Sequence, residues 1–420
     1  MITALLYAAL LSSPPAFAAD RRTPVVLAVE RAAPAVVSIE TEVSMQSPFA
    51  LLGAAPYETT SQGSGVIIDS KGVVLTNAHV VSGATSIRVH SADKRSWTAR
   101  VVGLDPDLDL AVLSLEGASE LPTIPMGSSA GLMLGETVIA IGNPYGLGQT
   151  VSTGVVSSTQ REVEITQGTW QTYVQTDAPI NPGNSGGALV DIDGNLIGIN
   201  TAIFGGAEGI GFAIPVDRAR KVASDMVAYG EVRAPWLGVD LRTVSQRKLV
   251  GTPLSQGAVQ VSKVYSGSPA DKAGIKGGDL IYLVDARPAR SVLDLNAALA
   301  EKKPGDKLEV AFYRGTQSMK ATLAGGEVPP DIGKAALQDT LGVDVAEKNG
   351  VLVVTAMRAT GSWTRAGLQV NDTILAVNGK SVRTQAELET ALTRAKAQHR
   401  ATALITVGRG RYRGDVTLDI

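Results

Sequence analysis

From residue 65 to about residue 214, short apolar runs alternate with glycine turns. Val66-Ile67-Ile68, Val73-Val74-Leu75, Ile87-Arg88-Val89, Ala111-Val112-Leu113, Thr137-Val138-Ile139-Ala140-Ile141 and Leu196-Ile197-Gly198-Ile199 are all of strand length. Many short strands at such spacing predict a mainly β sandwich or barrels. Ahead of them, residues 24–33 read as a helix stopped by Pro34, and residues 35–43 alternate as a strand. Residues 45–57 carry Pro48, Gly53 and Pro56 and read as a loop with exposed apolar positions. Over residues 215–229 the period changes to that of a helix. Val216, Ala219, Val222 and Met226 share one face, and Gly230 marks the stop.

The rest of the chain repeats itself. Ser268-Pro269-Ala270-Asp271-Lys272-Ala273-Gly274-Ile275 leads to Gly278-Asp279-Leu280-Ile281, and Ser362-Trp363-Thr364-Arg365-Ala366-Gly367-Leu368 leads to Asn371-Asp372-Thr373-Ile374. Gly274, Asp279 and Asp285 precede Gly367, Asp372 and Asn378 by 93 residues. Leu237-Gly238-Val239 returns as Leu341-Gly342-Val343. Each copy adds a helical stretch (293–300; 386–392) and a strand ending in Arg-Gly (314–315; 409–410). Two units of roughly 90 residues follow the β-rich part, divided by Gly325-Gly326-Glu327-Val328-Pro329-Pro330.

Composition narrows the chemistry. The 420 residues carry 38 Lys plus Arg against 40 Asp plus Glu, a net charge of −2. No basic field exists for nucleic acid, and none is expected as a partner. The chain has no cysteine, which excludes thiol catalysis, disulfides and Cys-held metals. Its three histidines, His79, His90 and His399, argue against a multi-histidine metal site. No metal or cofactor is expected. Residues 2–11 are apolar, and Ala16-Phe17-Ala18 follows as a cleavage site, so residues 1–18 read as a signal peptide with Ala19 as the mature start. The alternative is a buried N-terminal helix. No stretch reaches the roughly 20 apolar residues of a membrane span, so no integral membrane segment is expected.

Asn181-Pro182-Gly183-Asn184-Ser185-Gly186-Gly187 is the sharpest motif. A serine needs an adjacent base to act as a nucleophile. Flanking glycines permit a tight turn that exposes the hydroxyl and aims amides at one point. The Gly183, Asn184 and Ser185 amides are therefore candidates for an oxyanion hole. His79 closes the apolar run Val73-Val74-Leu75-Thr76 and is the candidate base. Asp109 opens the run Leu110-Ala111-Val112-Leu113 and, by strand parity with Ala111 and Leu113, is expected to face inward and orient the imidazole. Asp105 and Asp107 read as turn residues. His90 reads as a surface position, and His399 lies in the second repeat at a charged helical end. The order His79, Asp109, Ser185 is that of chymotrypsin-type proteases.

Thr76-Asn77-Ala78-His79-Val80, Asp109-Leu110-Ala111-Val112-Leu113, Gly142-Asn143-Pro144-Tyr145-Gly146-Leu147-Gly148, Gly183-Asn184-Ser185-Gly186-Gly187 and Gly209-Ile210-Gly211-Phe212-Ala213-Ile214-Pro215 together resemble the HtrA (DegP/DegQ) serine proteases. The repeats resemble PDZ domains. The resemblance spans residues 24–420 and implies a chymotrypsin-like double β-barrel followed by two PDZ domains. The expected divisions are 19–230 for the protease, 235–326 for the first PDZ domain and 332–420 for the second. It implies an ATP-independent periplasmic endopeptidase that degrades misfolded or unfolded envelope proteins, with chaperone activity beside it. In this resemblance His79 is the base, Asp109 its orienter and Ser185 the nucleophile. Ile210, Gly211, Phe212 and Ala213 line a small apolar S1 pocket, and Arg161 stands in a regulatory loop.

PDZ domains take an extended peptide as an added strand and its carboxylate in a nest of backbone amides. Trp236, Leu237, Gly238 and Val239 would form that nest in the first copy, and Leu341, Gly342 and Val343 in the second. The second copy is equally open to a purely structural role. Peptide C-termini and unfolded polypeptides are the expected partners. The family also implies a homotrimer or multiples of one, although residues 23–33 hold no aromatic residue; Tyr145 is a candidate contributor. The short 45–60 loop places the chain nearer DegQ than DegP. Residues 161–176 depart from the family pattern. A holdase with a vestigial site, or an esterase using the same triad, are the competing functions.

Overall fold

Two closed antiparallel barrels of the same strand order build the N-terminal half of the computed structural model. It describes residues 21–45, 57–144, 148–166, 169–181, 183–201, 209–348, 350–410 and 412–420. The expected signal peptide, most of the expected 45–57 loop, Tyr145 and Pro182 lie outside the described residues. The first barrel comprises β1 (Val36–Met45), β2 (Tyr57–Asp69), β3 (Val73–Thr76), β4 (Ala84–His90), β5 (Ser96–Asp105) and β6 (Leu110–Leu115), ordered β1-β2-β3-β6-β5-β4. The second comprises β7 (Thr137–Gly142), β8 (Thr150–Thr166), β9 (Thr169–Thr176), β10 (Ala188–Val190), β11 (Leu196–Thr201) and β12 (Gly211–Pro215), ordered β7-β8-β9-β12-β11-β10. Closure removes the unpaired edges that open sheets leave exposed. Of the two architectures that the strand spacing allowed, barrels are the one formed.

Strand alternation divides the second barrel's side chains into two sets. Val138, Ala140, Val156, Val174, Leu189, Ile197 and Ala213 close on themselves as a small lumen. Ile139, Ile141, Ala188, Val190, Leu196, Ile199 and Phe212 face the other way and join the core of the first barrel. The barrels thus share one hydrophobic interior, and any groove between them has a rigid floor.

Helix α1 (Pro24–Ala32) has Thr23 as its N-cap and Pro24 in its first turn. The four-residue helix α2 (Ala78–Val81) carries His79. Helix α3 (Val216–Tyr229) buries Val216, Ala219, Val222 and Met226, the face read from the sequence, and ends on Gly230 in the left-handed region (φ 77°). Met226 lies against Gly103, where a Cβ would come within 2.6 Å of its side chain, so the bare backbone of β5 admits the helix.

The two repeats have the same fold. The first contains β13 (Val239–Thr243), β14 (Val259–Val264), α4 (Pro269–Lys272), β15 (Leu280–Val284), β16 (Arg287–Pro288), α5 (Val292–Leu299), β17 (Lys307–Arg314) and β18 (Gln317–Ala324). The second contains α6 (Ile332–Ala335), β19 (Val343–Lys348), β20 (Val351–Met357), α7 (Ser362–Arg365), β21 (Thr373–Val377), β22 (Lys380–Ser381), α8 (Gln385–Ala397), β23 (Thr402–Arg409) and β24 (Tyr412–Asp419). Their sheets run β13-β14-β15-β17-β18 and β19-β20-β21-β23-β24, with β16 on β15 and β22 on β21.

The repeated residues now have reasons. Asp279 binds Arg314 through both carboxylate oxygens (2.8 and 2.7 Å), and Asp372 binds Arg409 in the same way (2.5 and 2.6 Å). Ser291 with Asp294 forms a capping box on α5, as Thr384 with Glu387 does on α8. Trp363 is fully buried in the second repeat's core. Trp363→Ala is expected to cost about 3–5 kcal/mol. Guanidinium unfolding should show an earlier transition for this repeat, with the barrels' own transition unmoved.

Candidate active site

The turn that carries Ser185 is built by glycines and held from outside. Gly183 and Gly186 have φ of 96° and 82°, which a residue with a Cβ adopts only under strain. A Cβ at Gly186 would also lie 2.1 Å from the Ser64 carbonyl oxygen, and one at Gly187 2.4 Å from that of Ile141. Within the turn, the Asn184 amide donates to the Asn181 carbonyl (3.0 Å) and the Gly187 amide to that of Asn184 (2.9 Å). Gly186 and Gly187 exchange hydrogen bonds with Asn200 on β11 (2.9 Å each).

The first barrel reaches across to this turn through Ser64 on β2. Its amide donates to the Ser185 carbonyl (2.8 Å), and its hydroxyl donates to the Gly183 carbonyl (2.6 Å). The same hydroxyl accepts from the Asn143 amide (2.8 Å), and the Thr76 hydroxyl donates to the Ser64 carbonyl (2.7 Å). Ser64 is fully buried. The Gly183–Asn184 peptide is therefore fixed at both its carbonyl and its amide. Since the Asn184 amide is engaged by Asn181, the expected three-donor oxyanion hole is corrected to a two-donor candidate, the Gly183 and Ser185 amides.

His79 and Asp109 meet at the mouth of the first barrel. His79 Nδ1 lies 2.9 Å from both Asp109 carboxylate oxygens. A carboxylate accepts, so Nδ1 carries the proton and Nε2 is the basic nitrogen. The His79 amide also donates to Asp109 Oδ1 (3.0 Å), the Thr201 hydroxyl to Oδ2 (3.2 Å), and Asn77 Nδ2 to the Asp109 carbonyl (3.0 Å). Asp109 does face inward, but not by strand parity. It precedes β6 in the left-handed region (φ 52°), and Leu110 to Leu113 are all buried. The backbone kink aims the carboxylate.

Asp105 caps the same turn, accepting from the Asp107 and Leu108 amides (3.0 Å each). Burial, reinforced by repulsion from Asp107, pushes its carboxyl up to about 6.

Other expected site residues fall differently. Ile210 is exposed, whereas Gly211 is buried against the Ala178 carbonyl and Ile180. Phe212 packs against Tyr173 (ring centroids 6.0 Å apart), and Ala213 is buried in the lumen of the second barrel. Arg161 stands within β8, not in a loop, and donates from Nε to Gln175 (2.7 Å). Its neighbour Glu162 makes the contact with the first repeat, to Arg290 (2.6 Å). The Trp170 amide adds a bond to Asp294 on α5 (2.7 Å).

In the first repeat Leu237 and Val239 are buried around Gly238 (φ 81°), whose Cβ would fall 2.1 Å from that of Ser268. Trp236 pairs with Gly326 through both backbone groups (2.9 and 2.8 Å). In the second repeat a six-residue helix runs into the equivalent loop, and the Gly342 amide is engaged by the Leu337 carbonyl (3.0 Å). His90 lies 3.4 Å from Glu40 on the barrel wall. His399 is fully buried, and its Nε2 accepts from the Leu237 amide (2.9 Å). Ser64, Thr201 and His399 were not legible as site residues. The sequence signal for Ser64 is the Gly63-Ser64-Gly65 triplet, whose flanking glycines leave room for Val80 and Val74.

Among the described residues no cluster of His, Cys, Asp and Glu is arranged for a metal ion. Two barrels, a glycine turn bearing serine and a His–Asp pair between them define a trypsin-like serine endopeptidase. Comparison with known proteins agrees: residues 63–199 match the trypsin-like peptidase domain, and residues 235–324 and 340–420 each match the PDZ domain. The chain is 36% identical to the periplasmic pH-dependent serine endoprotease DegQ of Escherichia coli, over 81% of this chain and 76% of that protein. It is 38% identical to the periplasmic serine endoprotease DegP of Escherichia coli, over 79% and 71% respectively. Among solved structures it resembles the HtrA-type protease AlgW with decapeptide, at 38% identity and a TM-score of 0.55, covering 73% of this chain and 99% of that one. The chain belongs to the HtrA family of serine endoproteases with PDZ domains.

Ser64→Ala leaves the Gly183 carbonyl and the Asn143 amide without their partner. It is expected to lower kcat by about 10–100-fold with KM little changed, read from peptide hydrolysis. Asp105 is more easily protonated in the folded chain than in the unfolded one. Its ionisation thus lowers stability as pH rises from about 4 to about 6, and the penalty is complete above that. Asp105→Asn keeps an acceptor for the two amides. It should raise stability at pH 7 by about 1–3 kcal/mol and flatten the pH 4–7 profile of urea unfolding.

Proposed function

We propose that this endopeptidase degrades unfolded or misfolded polypeptides of the periplasm, reaching that compartment through the signal peptide at 1–18. Ser185 attacks the scissile carbonyl, His79 Nε2 takes its proton and returns it to the leaving amine, and Asp109 stabilises the imidazolium. The Gly183 and Ser185 amides receive the oxyanion, and Ile210 and Gly211 admit a small apolar side chain. The observation that carries this reading is the bidentate contact of His79 with Asp109 beside a serine turn whose Gly183 and Ser185 carbonyls are held by Ser64. Residues 19–230 are the protease unit, 235–326 and 332–420 the PDZ units.

The first PDZ domain takes peptide C-termini, its nest formed by residues 236–239. The second is structural, because the helix ending at Leu341 engages the Gly342 amide. Val26 and Leu27 are exposed on α1, which supports assembly as a trimer through this segment. Capture of unfolded clients gives chaperone activity independent of cleavage.

Purified mature protein should degrade casein in EDTA without nucleotide, and Ser185→Ala should abolish this with the far-UV spectrum unchanged. Cleavage that survives the substitution would refute the assignment. Ser185→Ala should still suppress aggregation of an unfolded client. Sedimentation as a monomer at assay concentration would refute the trimer.

A further inference from the structure

We infer that the second PDZ domain gates the first by filling its peptide groove with residues 398–401, and that a peptide C-terminus binds only when this segment leaves. The inference rests on the peptide-binding assignment of the first PDZ domain and goes on to how that site is controlled.

The groove is set by topology. Strand β13 is the edge of its sheet and starts at the nest, and α5 flanks it, with the Val292 amide bonded to the Thr243 hydroxyl (3.1 Å). A ligand with its carboxylate in the nest would add along β13. In this chain the place is taken. His399 Nε2 accepts from the Leu237 amide at the nest. Beyond it the Leu241 amide donates to the His399 carbonyl (2.8 Å), and the Ala401 amide donates to the Leu241 carbonyl (3.3 Å). From the opposite wall, Asn296 on α5 donates to the Gln398 carbonyl (2.6 Å) and contacts His399 Nδ1 (3.0 Å). A backbone amide only donates, so Nε2 is the unprotonated nitrogen and Nδ1–H donates to Asn296 Oδ1.

The segment copies a ligand's contacts but not its direction. A peptide ending in the nest runs antiparallel to β13, whereas 399–401 starts at the nest and runs parallel to it. His399 has the left-handed backbone (φ 55°) that turns its ring back toward Leu237. Two ion pairs flank the seam. Lys396 binds Asp240 on β13 (2.8 Å), which also accepts from the Tyr265 hydroxyl, and Arg400 binds Asp107 of the protease (2.6 Å).

The closed seam needs a neutral imidazole. Burial drives His399 down to about 3, from an ordinary value of 6.5 once released. The closed form is therefore fully favoured above about pH 6.5 and loses ground as pH falls below it. Lys396, Asp240, Arg400 and Asp107 are already paired across the same seam, and Asp105 titrates near 6 one turn from Asp107. His399→Ala therefore serves as the control that isolates the imidazole.

The test uses full-length Ser185→Ala protein and a fluorescent decapeptide with an apolar C-terminal residue and a free carboxylate, followed by anisotropy. Adding His399→Ala or Asn296→Ala is expected to tighten binding about tenfold, as removal of a closed state that leaves roughly a tenth of molecules competent would do. The C-terminally amidated peptide should gain nothing. Lowering the pH from 7.5 to 5.5 should tighten the parent's binding more than that of His399→Ala. Should His399→Ala fail to fold, Asn296→Ala decides. Equal affinity of the parent and the folded variants overturns the gate and leaves the peptide-binding assignment standing. No binding by any of them, variants included, overturns both.

Discussion

The hydrogen bonds of Ser64 are the constraint on which the site depends. A serine turn made of glycines has great freedom in the unfolded chain and no side chains of its own to fix it. Here the fixing comes from the other barrel. One buried residue ties the Ser185 carbonyl with its amide and the Gly183 carbonyl with its hydroxyl. Thr76, at the end of β3, in turn holds the Ser64 carbonyl. Three residues further on stands His79, so one strand pair places both the candidate base and the strap on the serine turn. The shared core of the two barrels makes this a rigid arrangement, in which displacing one barrel against the other would break the Ser64 bonds to the serine turn and the Thr201 bond to Asp109 together.

The same economy extends to the PDZ domains. The loop ending at Asp109 is capped by Asp105 and reached by Arg400 of the second PDZ domain through Asp107. The hairpin of β8 and β9 contacts the first PDZ domain through Glu162 and Trp170. Arg400, which pairs with Leu241 on β13, thus also touches the turn that leads to Asp109.

Much was legible along the chain because it is local. The α3 face and its glycine stop follow from a 3.6-residue period, and the strands from their runs and turns. The repeat predicted two copies of one unit, and their strand orders coincide. Glycines at 183 and 186 announced a turn that a Cβ forbids, and both adopt positive φ. Where local reasoning failed, the reason was also local. Strand parity was applied to Asp109, which lies one residue outside its strand. Asn184 was grouped with the amide donors, while the turn closes on its own N–H.

The sequence by itself determined the class of the protein: which segments are strands, which residue types stand in the order of a serine protease, and that two like units follow. Those are properties of spacing and residue chemistry, and spacing survives in an unfolded chain. The tertiary structure alone decided which distant groups meet. Nothing in the charged stretch around His399 says that its imidazole lies 2.9 Å from the amide of Leu237, 162 residues away. Ser64 likewise reaches Gly183 across 119 residues. Such contacts depend on how barrels and sheets pack against one another, and a hydrogen bond requires placement to within a few tenths of an ångström that no linear pattern encodes.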